Sequence, residues 1–96
     1  MLVLGDSISA GYGINPDQGW VYLLQQRLTH LGYRYKVINA SISGDTTRGA
    51  SVRLDKLLSQ IQPDISIIEL GGNDGLRGFS LEEISTNLQE IINQLI

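Results

Sequence analysis

The sequence predicts an α/β layered fold built around a parallel β-sheet. Three short apolar segments alternate with three segments of helical periodicity, in the order βαβαβα. Strands that alternate with helices imply parallel strands joined by right-handed crossovers, with the helices packed on the sheet. The chain has 96 residues, of which 42% are hydrophobic and 18% charged, so it is long enough for one small globular domain.

The first half of the chain contains two predicted strands and one predicted helix. Residues 1–4 are apolar and predict a short strand, and the sequence YKVINA at 35–40 predicts a second one. Between them a helix is expected over 18–31, and Gly32 is a suitable residue to end it. The apolar residues at helical spacing in this segment are Val21, Leu24, Leu28 and Leu31.

The second half contains two predicted helices on either side of a third strand. The sequence ISIIEL at 65–70 is mostly apolar, which predicts a strand covered on both faces. Ser80 and Glu83 have the spacing of a capping box at the start of the last helix. The second helix ends before Pro63 and presents Ala50, Leu54, Leu57, Leu58 and Ile61; the third presents Leu81, Ile84, Leu88, Ile91, Ile92 and Leu95.

Composition excludes several classes of function. The net charge of −3 and the absence of a Lys/Arg cluster argue against a nucleic-acid partner. Without cysteine, the chain has neither a disulfide framework nor a thiolate nucleophile. Cysteine usage therefore does not indicate the cellular compartment. No basic segment followed by an apolar stretch is found at the start of the sequence, and no apolar run is long enough to span a bilayer, so stable membrane insertion is not expected.

A polar, glycine-rich stretch follows each predicted strand. These stretches are GDSISAGYG, SISGDTT and GGNDGLRG. Ligands of parallel α/β sheets bind outside the carboxyl ends of the strands, so all three stretches are expected at one binding edge. Taken alone, Gly-Asp-Ser is also ordinary turn and helix-cap chemistry, and only the recurrence after all three strands favours a functional site.

A serine nucleophile is the chemistry that these stretches favour. GYGINP breaks the dinucleotide fingerprint, the P-loop signature is absent, and Ser9 stands where a nucleophile elbow needs glycine. Ser7 can act as a nucleophile if hydrogen-bond donors surround the developing oxyanion. The Ser7 N–H, the Gly44 N–H and the Asn73 side-chain amide would supply three donors from three loops.

The stretches LGDSISAGYG, NASISGDT and ELGGNDGLRG resemble the first three sequence blocks of the SGNH (GDSL-type) hydrolases. The resemblance covers essentially the whole chain and is greatest to the bacterial thioesterase/lysophospholipase/arylesterase branch. It implies a three-layer, flavodoxin-like sandwich and hydrolysis of aryl esters, acyl thioesters or lysophospholipids through an acyl-serine intermediate. It implies a small-molecule acyl ester substrate, no metal or other cofactor, and a periplasmic or secreted location. Ile8 departs conservatively from the name-giving leucine.

The resemblance also assigns roles to individual residues. It makes Ser7 the nucleophile and makes Gly44 and Asn73 oxyanion donors together with the Ser7 amide. Asp6 is expected as a hydrogen-bonding residue of the first block, and residues 75–79 as a loop beside the acyl pocket. The residues expected to bind or flank the substrate are Asp6, Gly72, Asp74, Gly75, Leu76, Arg77 and Phe79.

The fourth block of the family, a D-x-x-H that supplies the base and its orienting acid, does not occur in this sequence. The one histidine, His30, is expected as a solvated residue at the far end of the first helix. Residues 1–96 are therefore predicted to be the N-terminal part of a single hydrolase domain, truncated to βαβαβα and inactive alone. The third strand would then be an open edge through which the chain could self-associate.

Several polar or aromatic residues have a structural interpretation beside the functional one. Glu69 is expected as a buried acid with a backbone or arginine partner, and Trp20 as a core residue. Asp74 and Arg77 could form an ion pair within their loop. Turn and helix-cap roles are expected for Ser41, Ser43, Asp45 and Thr46.

A rival hypothesis is a non-catalytic flavodoxin-like module that binds an anion, a small ligand or another chain at the same edge. Such a module has no need for both Asn73 and a glycine at position 44, so these residues favour the hydrolase.

Overall fold

The computed structural model describes residues 1–96 and has a three-stranded parallel sheet at its centre. The strands are β1 (Leu2–Gly5), β2 (Ile38–Asn39) and β3 (Ser66–Glu69), in the order β2-β1-β3. Leu2 lies opposite both Ile38 and Ser66, which fixes the register of both pairs. The predicted α/β class and the parallel sheet are confirmed.

Five helices and one 3₁₀ turn complete the chain. The helices are α1 (Ser7–Ala10), α2 (Trp20–His30), α3 (Thr47–Gln60), α4 (Gly72–Leu76) and α5 (Leu81–Leu95), and the 3₁₀ turn is Pro16–Gln18. The three long helices are those that periodicity predicts. The two short ones, α1 and α4, fall inside glycine-rich stretches that were predicted as loops. None of the helices has the length and apolar character needed to cross a lipid bilayer.

The core lies between β1 and the pair of helices α3 and α5. Leu2 and Leu4 of the central strand are completely buried, and they cluster with Ala50 and Leu54 of α3 and Ile91 of α5. Burial of five such side chains is the main favourable contribution to this packing. The stripe of α5 is covered only in part, because Leu81 is 84% and Ile92 39% exposed.

Strand β2 is shorter than predicted, and the side chain of Gln25 lies along its outer edge. The Gln25 amide donates to the carbonyl oxygen of Tyr35 (2.9 Å) and accepts from the N–H of Val37 (2.7 Å). These two backbone groups face away from β1, whereas the Lys36 carbonyl and the N–H groups of Ile38 and Ala40 bond to Met1 and Val3 on the other side. The regular ladder consists of Ile38 and Asn39, and it begins at Ile38 because that residue lies opposite Leu2, the first residue of β1.

Strand β3 is an edge strand, and its residues are only half-buried. The prediction that both of its faces are covered holds only in part, because Ile68 packs against the core cluster while all four residues of the strand stay half-buried. The prediction of an open third-strand edge is confirmed.

The helix ends agree largely with the capping signals. Thr46 caps α3 by accepting from the N–H of Gly49, and Ser80 caps α5 by accepting from the N–H of Glu83 at 3.1 Å. The return bond of the capping box, from the Ser80 N–H to the Glu83 carboxylate, is not formed. Helix α2 ends at His30, just before Gly32 as expected.

Candidate active site

Ser7 lies at the point where β1 gives way to α1. Asp6 is buried and caps this helix, its Oδ1 accepting from the N–H of Ile8 at 3.0 Å. Ser7 is the first residue of α1, so its own N–H has no acceptor within the helix. The residue is partly exposed. A hydroxyl and an unpaired amide are thus offered together at the carboxyl end of the central strand.

The short helix α1 is fixed by a network of hydrogen bonds to Ser9. The Ser9 hydroxyl donates to Glu69 Oε1 at 2.8 Å and accepts from the Trp20 indole N–H at 3.1 Å. Its backbone carbonyl accepts from the Asn39 amide at 2.8 Å. Gly5 leaves room for this arrangement, because a Cβ at that position would lie 2.6 Å from Ser9 Oγ. Residues of α2, β2 and β3 therefore all fix the helix that begins with Ser7.

Gly44 lies in an exposed turn after β2. The turn is closed by the Asp45 N–H donating to the Ile42 carbonyl at 3.2 Å, and Gly44 adopts φ 82°, a conformation that side chains disfavour. The Gly44 N–H donates no hydrogen bond within the chain. The Ile42 N–H donates to the carbonyl of Gly5 at 3.0 Å, which ties this turn to the end of β1.

Asn73 lies in α4, directly after β3. Its Nδ2 donates to the backbone carbonyl of Asp45 at 2.9 Å. A side-chain amide carries two N–H donors, so one fixes the orientation of the group and the second remains available. Asn73 is half-buried.

The three glycine-rich stretches meet at one edge of the sheet. Asn73 contacts the turn of Gly44 through Asp45, and that turn contacts the end of β1 through Ile42. A Cβ on Gly72 would lie 3.9 Å from Asp6 Oδ2, which brings the third stretch next to the first. None of the cavities of the chain includes Ser7, Gly44 or Asn73. In these 96 residues the edge is therefore an open surface.

Asp74 has a structural position that differs from its predicted role beside the substrate. It is completely buried, and its two carboxylate oxygens accept from the Thr47 N–H (2.9 Å) and hydroxyl (2.6 Å). No oxygen of Asp74 faces solvent, so in this chain it joins α4 to the start of α3. The alternative of an ion pair with Arg77 is also wrong, since the one ion pair joins Arg53 to Asp45.

The segment predicted to flank an acyl pocket is partly helical. Gly75 and Leu76 belong to α4, and the chain turns through Arg77 and Gly78 to Phe79. The Phe79 N–H donates to the Asp74 carbonyl at 3.0 Å and closes this turn. Leu76 is 87% and Phe79 38% exposed, so both apolar side chains are available on the surface of the segment that follows Asn73.

The remaining expectations concern single residues. Glu69 is half-buried and pairs with the Ser9 hydroxyl and, at 3.5 Å, the Asp6 N–H, so its partner includes a backbone group and no arginine. Trp20 is only partly buried and donates to Ser9, rather than filling the core. His30 is exposed at the end of α2, about 15 Å from the end that contacts Ser9.

Thr46 and Asp45 have the predicted turn and cap roles, with Thr46 capping α3 and Asp45 Oδ1 accepting from the Thr46 N–H at 3.0 Å. The Ser41 hydroxyl is buried without a partner, and Ser43 is exposed. Ser9 and Arg53 contact residues next to the candidate site, and neither contact is predicted from the sequence. Ser9 lies inside the first glycine-rich stretch, GDSISAGYG, whereas nothing in the sequence near Arg53 indicates its contact with Asp45.

No three His, Asp or Glu side chains come together as a candidate metal site.

Comparison with known proteins identifies the relatives of this chain. It is 56% identical over 88 residues to the esterase TesA of Pseudomonas aeruginosa, covering 92% of this chain and 44% of that protein. It is 43% identical over 95 residues to the thioesterase 1/protease 1/lysophospholipase L1 of Escherichia coli K12, covering 99% of this chain and 44% of that protein. The chain thus spans less than half the length of these two relatives.

The fold has a close counterpart among solved structures. The crystal structure of a protein called TesA superposes with a TM-score of 0.95 at 52% sequence identity, covering 98% of this chain and 52% of that one. A sequence model of the GDSL-like lipase/acylhydrolase family matches residues 3–96. The match begins within β1 and includes all three glycine-rich stretches. This chain therefore belongs to the GDSL-like lipase/acylhydrolase family.

Proposed function

We propose that this chain carries the nucleophile and the oxyanion-binding groups of a serine hydrolase that cleaves acyl esters. In this proposal residues 1–96 are the N-terminal part of a single hydrolase domain. The observation that supports it most is the meeting of the three stretches that hold Ser7, Gly44 and Asn73. Each contributes a donor left unused by the fold, from a different strand end.

In the first step the Ser7 hydroxyl oxygen attacks the carbonyl carbon of the ester. Its proton passes to a base, and the carbonyl oxygen becomes an oxyanion that accepts from the three donors. The tetrahedral intermediate then collapses, the bond to the leaving group breaks, and the base returns its proton to that group. Water hydrolyses the acyl-serine by the same sequence and releases the carboxylic acid.

The Asn73 amide is suited to this role because its orientation is fixed before substrate binds. Its bond to the Asp45 carbonyl uses one N–H and leaves the other in a defined direction. A donor that is already oriented loses little by reorganisation when the oxyanion forms, which is the source of this kind of stabilisation.

The base is the part of the machinery that these 96 residues do not supply. His30 is the one histidine, and it lies at the end of α2 away from Ser9 and α1. The family resemblance implies a D-x-x-H block as the source of the base and its orienting acid. We therefore infer that residues 1–96 alone do not turn over esters.

The proposed substrates are small acyl esters, acyl thioesters or lysophospholipids, in keeping with the esterase, thioesterase and lysophospholipase names of the two relatives. Exposed apolar side chains of the segment that follows Asn73, those of Leu76 and Phe79, would contact the acyl group. The backbone that flanks the acyl group would be that of Gly72, Gly75 and Arg77. The free edge of β3 is the surface through which residues 1–96 would self-associate when alone.

The test compares residues 1–96 with an extended chain, in which they are joined to a segment that carries a D-x-x-H block. Hydrolysis of a p-nitrophenyl acyl ester and labelling by a fluorophosphonate are measured for both. We expect turnover from the extended chain only, with both signals lost in Ser7→Ala.

Ser43→Ala is the matched control, since Ser43 is an exposed serine of the second stretch with no hydrogen bond of its side chain. It should leave turnover and labelling intact. An extended chain that folds but neither hydrolyses the ester nor reacts with the label would favour the non-catalytic module instead. Full turnover by residues 1–96 alone would show that a base exists within them.

A further inference from the structure

Arg53 and Asp45 form the one ion pair of the chain. Arg53 Nε lies 2.9 Å from Asp45 Oδ2, and the pair joins the middle of α3 to the turn that contains Gly44. Neither side chain is freely exposed, at 22% for Arg53 and 10% for Asp45. The contact is therefore a fixed element of the structure, unlike a mobile ion pair on the surface.

Asp45 connects this ion pair to the proposed oxyanion donors. Its N–H closes the turn around Gly44, and its carbonyl oxygen accepts from Asn73 Nδ2. Its second carboxylate oxygen accepts from the Thr46 N–H at 3.0 Å. A displacement of Asp45 would therefore move both the Gly44 N–H and the Asn73 amide.

Gly49 gives an independent indication that the fold provides a defined space for the Asp45 carboxylate. A Cβ on Gly49 would lie 2.3 Å from Asp45 Oδ1, so the carboxylate occupies the space of the missing side chain. Glycine in the first turns of a helix lowers helix stability relative to alanine. At position 49, the absence of a side chain leaves room for the Asp45 carboxylate, which pairs with Arg53.

We propose that Arg53 is a positioning residue of the oxyanion hole, acting through Asp45 on the Gly44 N–H and on the Asn73 amide. This inference rests on the proposed function, since it assigns to Arg53 a part in the same reaction. Arg53 itself does not contact the substrate. It fixes the direction of two donors that come from different strands.

A contribution to stability alone explains the pair less well. The desolvation of two charges offsets much of their attraction, so a shielded ion pair is a weak source of net stability. Arg53 Nη2 is moreover buried without a hydrogen-bond partner, which adds to that cost. The pair is better explained by the geometry that it imposes on the turn.

The test uses Arg53→Lys in the extended chain, because lysine keeps the charge and loses the planar guanidinium. We expect kcat for a p-nitrophenyl ester to fall by roughly tenfold to a hundredfold, the scale of a misplaced catalytic group. KM should change little, because the oxyanion exists only in the transition state. Arg48→Lys is the matched control, since Arg48 lies exposed on the same helix without an ion pair, and its kcat should be unchanged.

A double-mutant cycle with Asn73→Ala separates positioning from a general structural effect. If Arg53 acts through both donors, Arg53→Lys should lower kcat by a smaller factor in the Asn73→Ala background, where only the Gly44 N–H remains, than in the parent. Equal costs in both backgrounds, or an unchanged kcat in Arg53→Lys, would overturn the inference.

Gly49→Ala provides a second variant that displaces Asp45 without altering a charge. Gly49→Ala should lower kcat in the same way as Arg53→Lys. A kcat equal to that of the parent would also overturn the inference. The amide spectrum of the extended chain gives a readout that needs no activity. The Gly44 N–H and Asn73 Nδ2 resonances should shift in Arg53→Lys and not in Arg48→Lys. An inactive parent would refute the proposed function, while unshifted resonances would refute the positioning role alone.

Discussion

The buried carboxylate of Asp74 gives the most direct quantitative prediction. Asp74→Ala removes the acceptor of two hydrogen bonds from Thr47, a residue 27 positions away and itself completely buried. Thr47 Oγ1 also accepts from the Asn87 amide at 3.1 Å, so the substitution disturbs a contact between α3, α4 and α5. We expect a large loss of stability from a residue that lies in a glycine-rich loop by sequence.

The magnitude follows from the two hydrogen bonds. Each bond to a charged acceptor contributes about 1.5–3 kcal/mol, so the pair contributes about 3–6 kcal/mol. These values already include the desolvation of the charge, so we expect Asp74→Ala to lower the free energy of unfolding by at least about 3 kcal/mol. Asp74→Asn should cost about half as much, because the amide oxygen still accepts from the Thr47 N–H.

The measurement is urea unfolding of the extended chain, followed by circular dichroism, with the free energy of unfolding taken from linear extrapolation. Asp55→Ala is the control, since Asp55 is exposed on α3 without a hydrogen bond and should change the free energy by less than about 0.5 kcal/mol. A loss below about 1 kcal/mol for Asp74→Ala would contradict the structural role. Equal losses of unfolding free energy in Asp74→Ala and Asp55→Ala would also contradict it.

Three further predictions concern the site and its support. Asn73→Ala in the extended chain should lower kcat by roughly 10²–10³ with little change in KM, as steady-state kinetics would show; a pure KM effect would assign the amide to substrate binding instead. Gly5→Ala should destabilise the chain by about 1–3 kcal/mol in urea unfolding, because its Cβ would lie 2.6 Å from Ser9 Oγ, whereas Gly75→Ala meets no atom within 4 Å and should not destabilise it. His30→Ala should leave ester hydrolysis by the extended chain unchanged, and a loss of turnover would mean that His30 reaches the site.

The order and type of the long elements could be predicted because each depends on local periodicity. The apolar run of β1 and the helical spacing of α2, α3 and α5 leave few alternatives. The meeting of the three polar stretches also follows from the sequence, because parallel strands place their carboxyl ends on one side. The roles of Ser7, Gly44 and Asn73 in catalysis stay predictions.

Two of the differences from the prediction share a physical cause, which is contact between residues far apart in the chain. The outer edge of the second strand is occupied by Gln25, a side chain of α2 that no local pattern places there. The burial of Asp74 depends on Thr47, and nothing in GGNDGLRG distinguishes a buried acid from a solvated one. Helix α4 is a different case: glycine is a poor helix former, yet the Gly75 N–H donates to the Gly71 carbonyl (3.1 Å) and the Arg77 N–H to the Asn73 carbonyl (3.0 Å).

The central position of β1 has a consequence for the synthesis of the protein. β1 is made before both of its partners, and 63 residues separate Asp6 at its end from Glu69 at the end of β3. At ribosomal rates of about 5–20 residues per second, that interval takes about 3–13 s. For that time the most apolar strand of the sheet lacks one of its two neighbours. A nascent chain halted between β2 and β3 would therefore expose β1 and should be a substrate for chaperones that bind extended apolar segments.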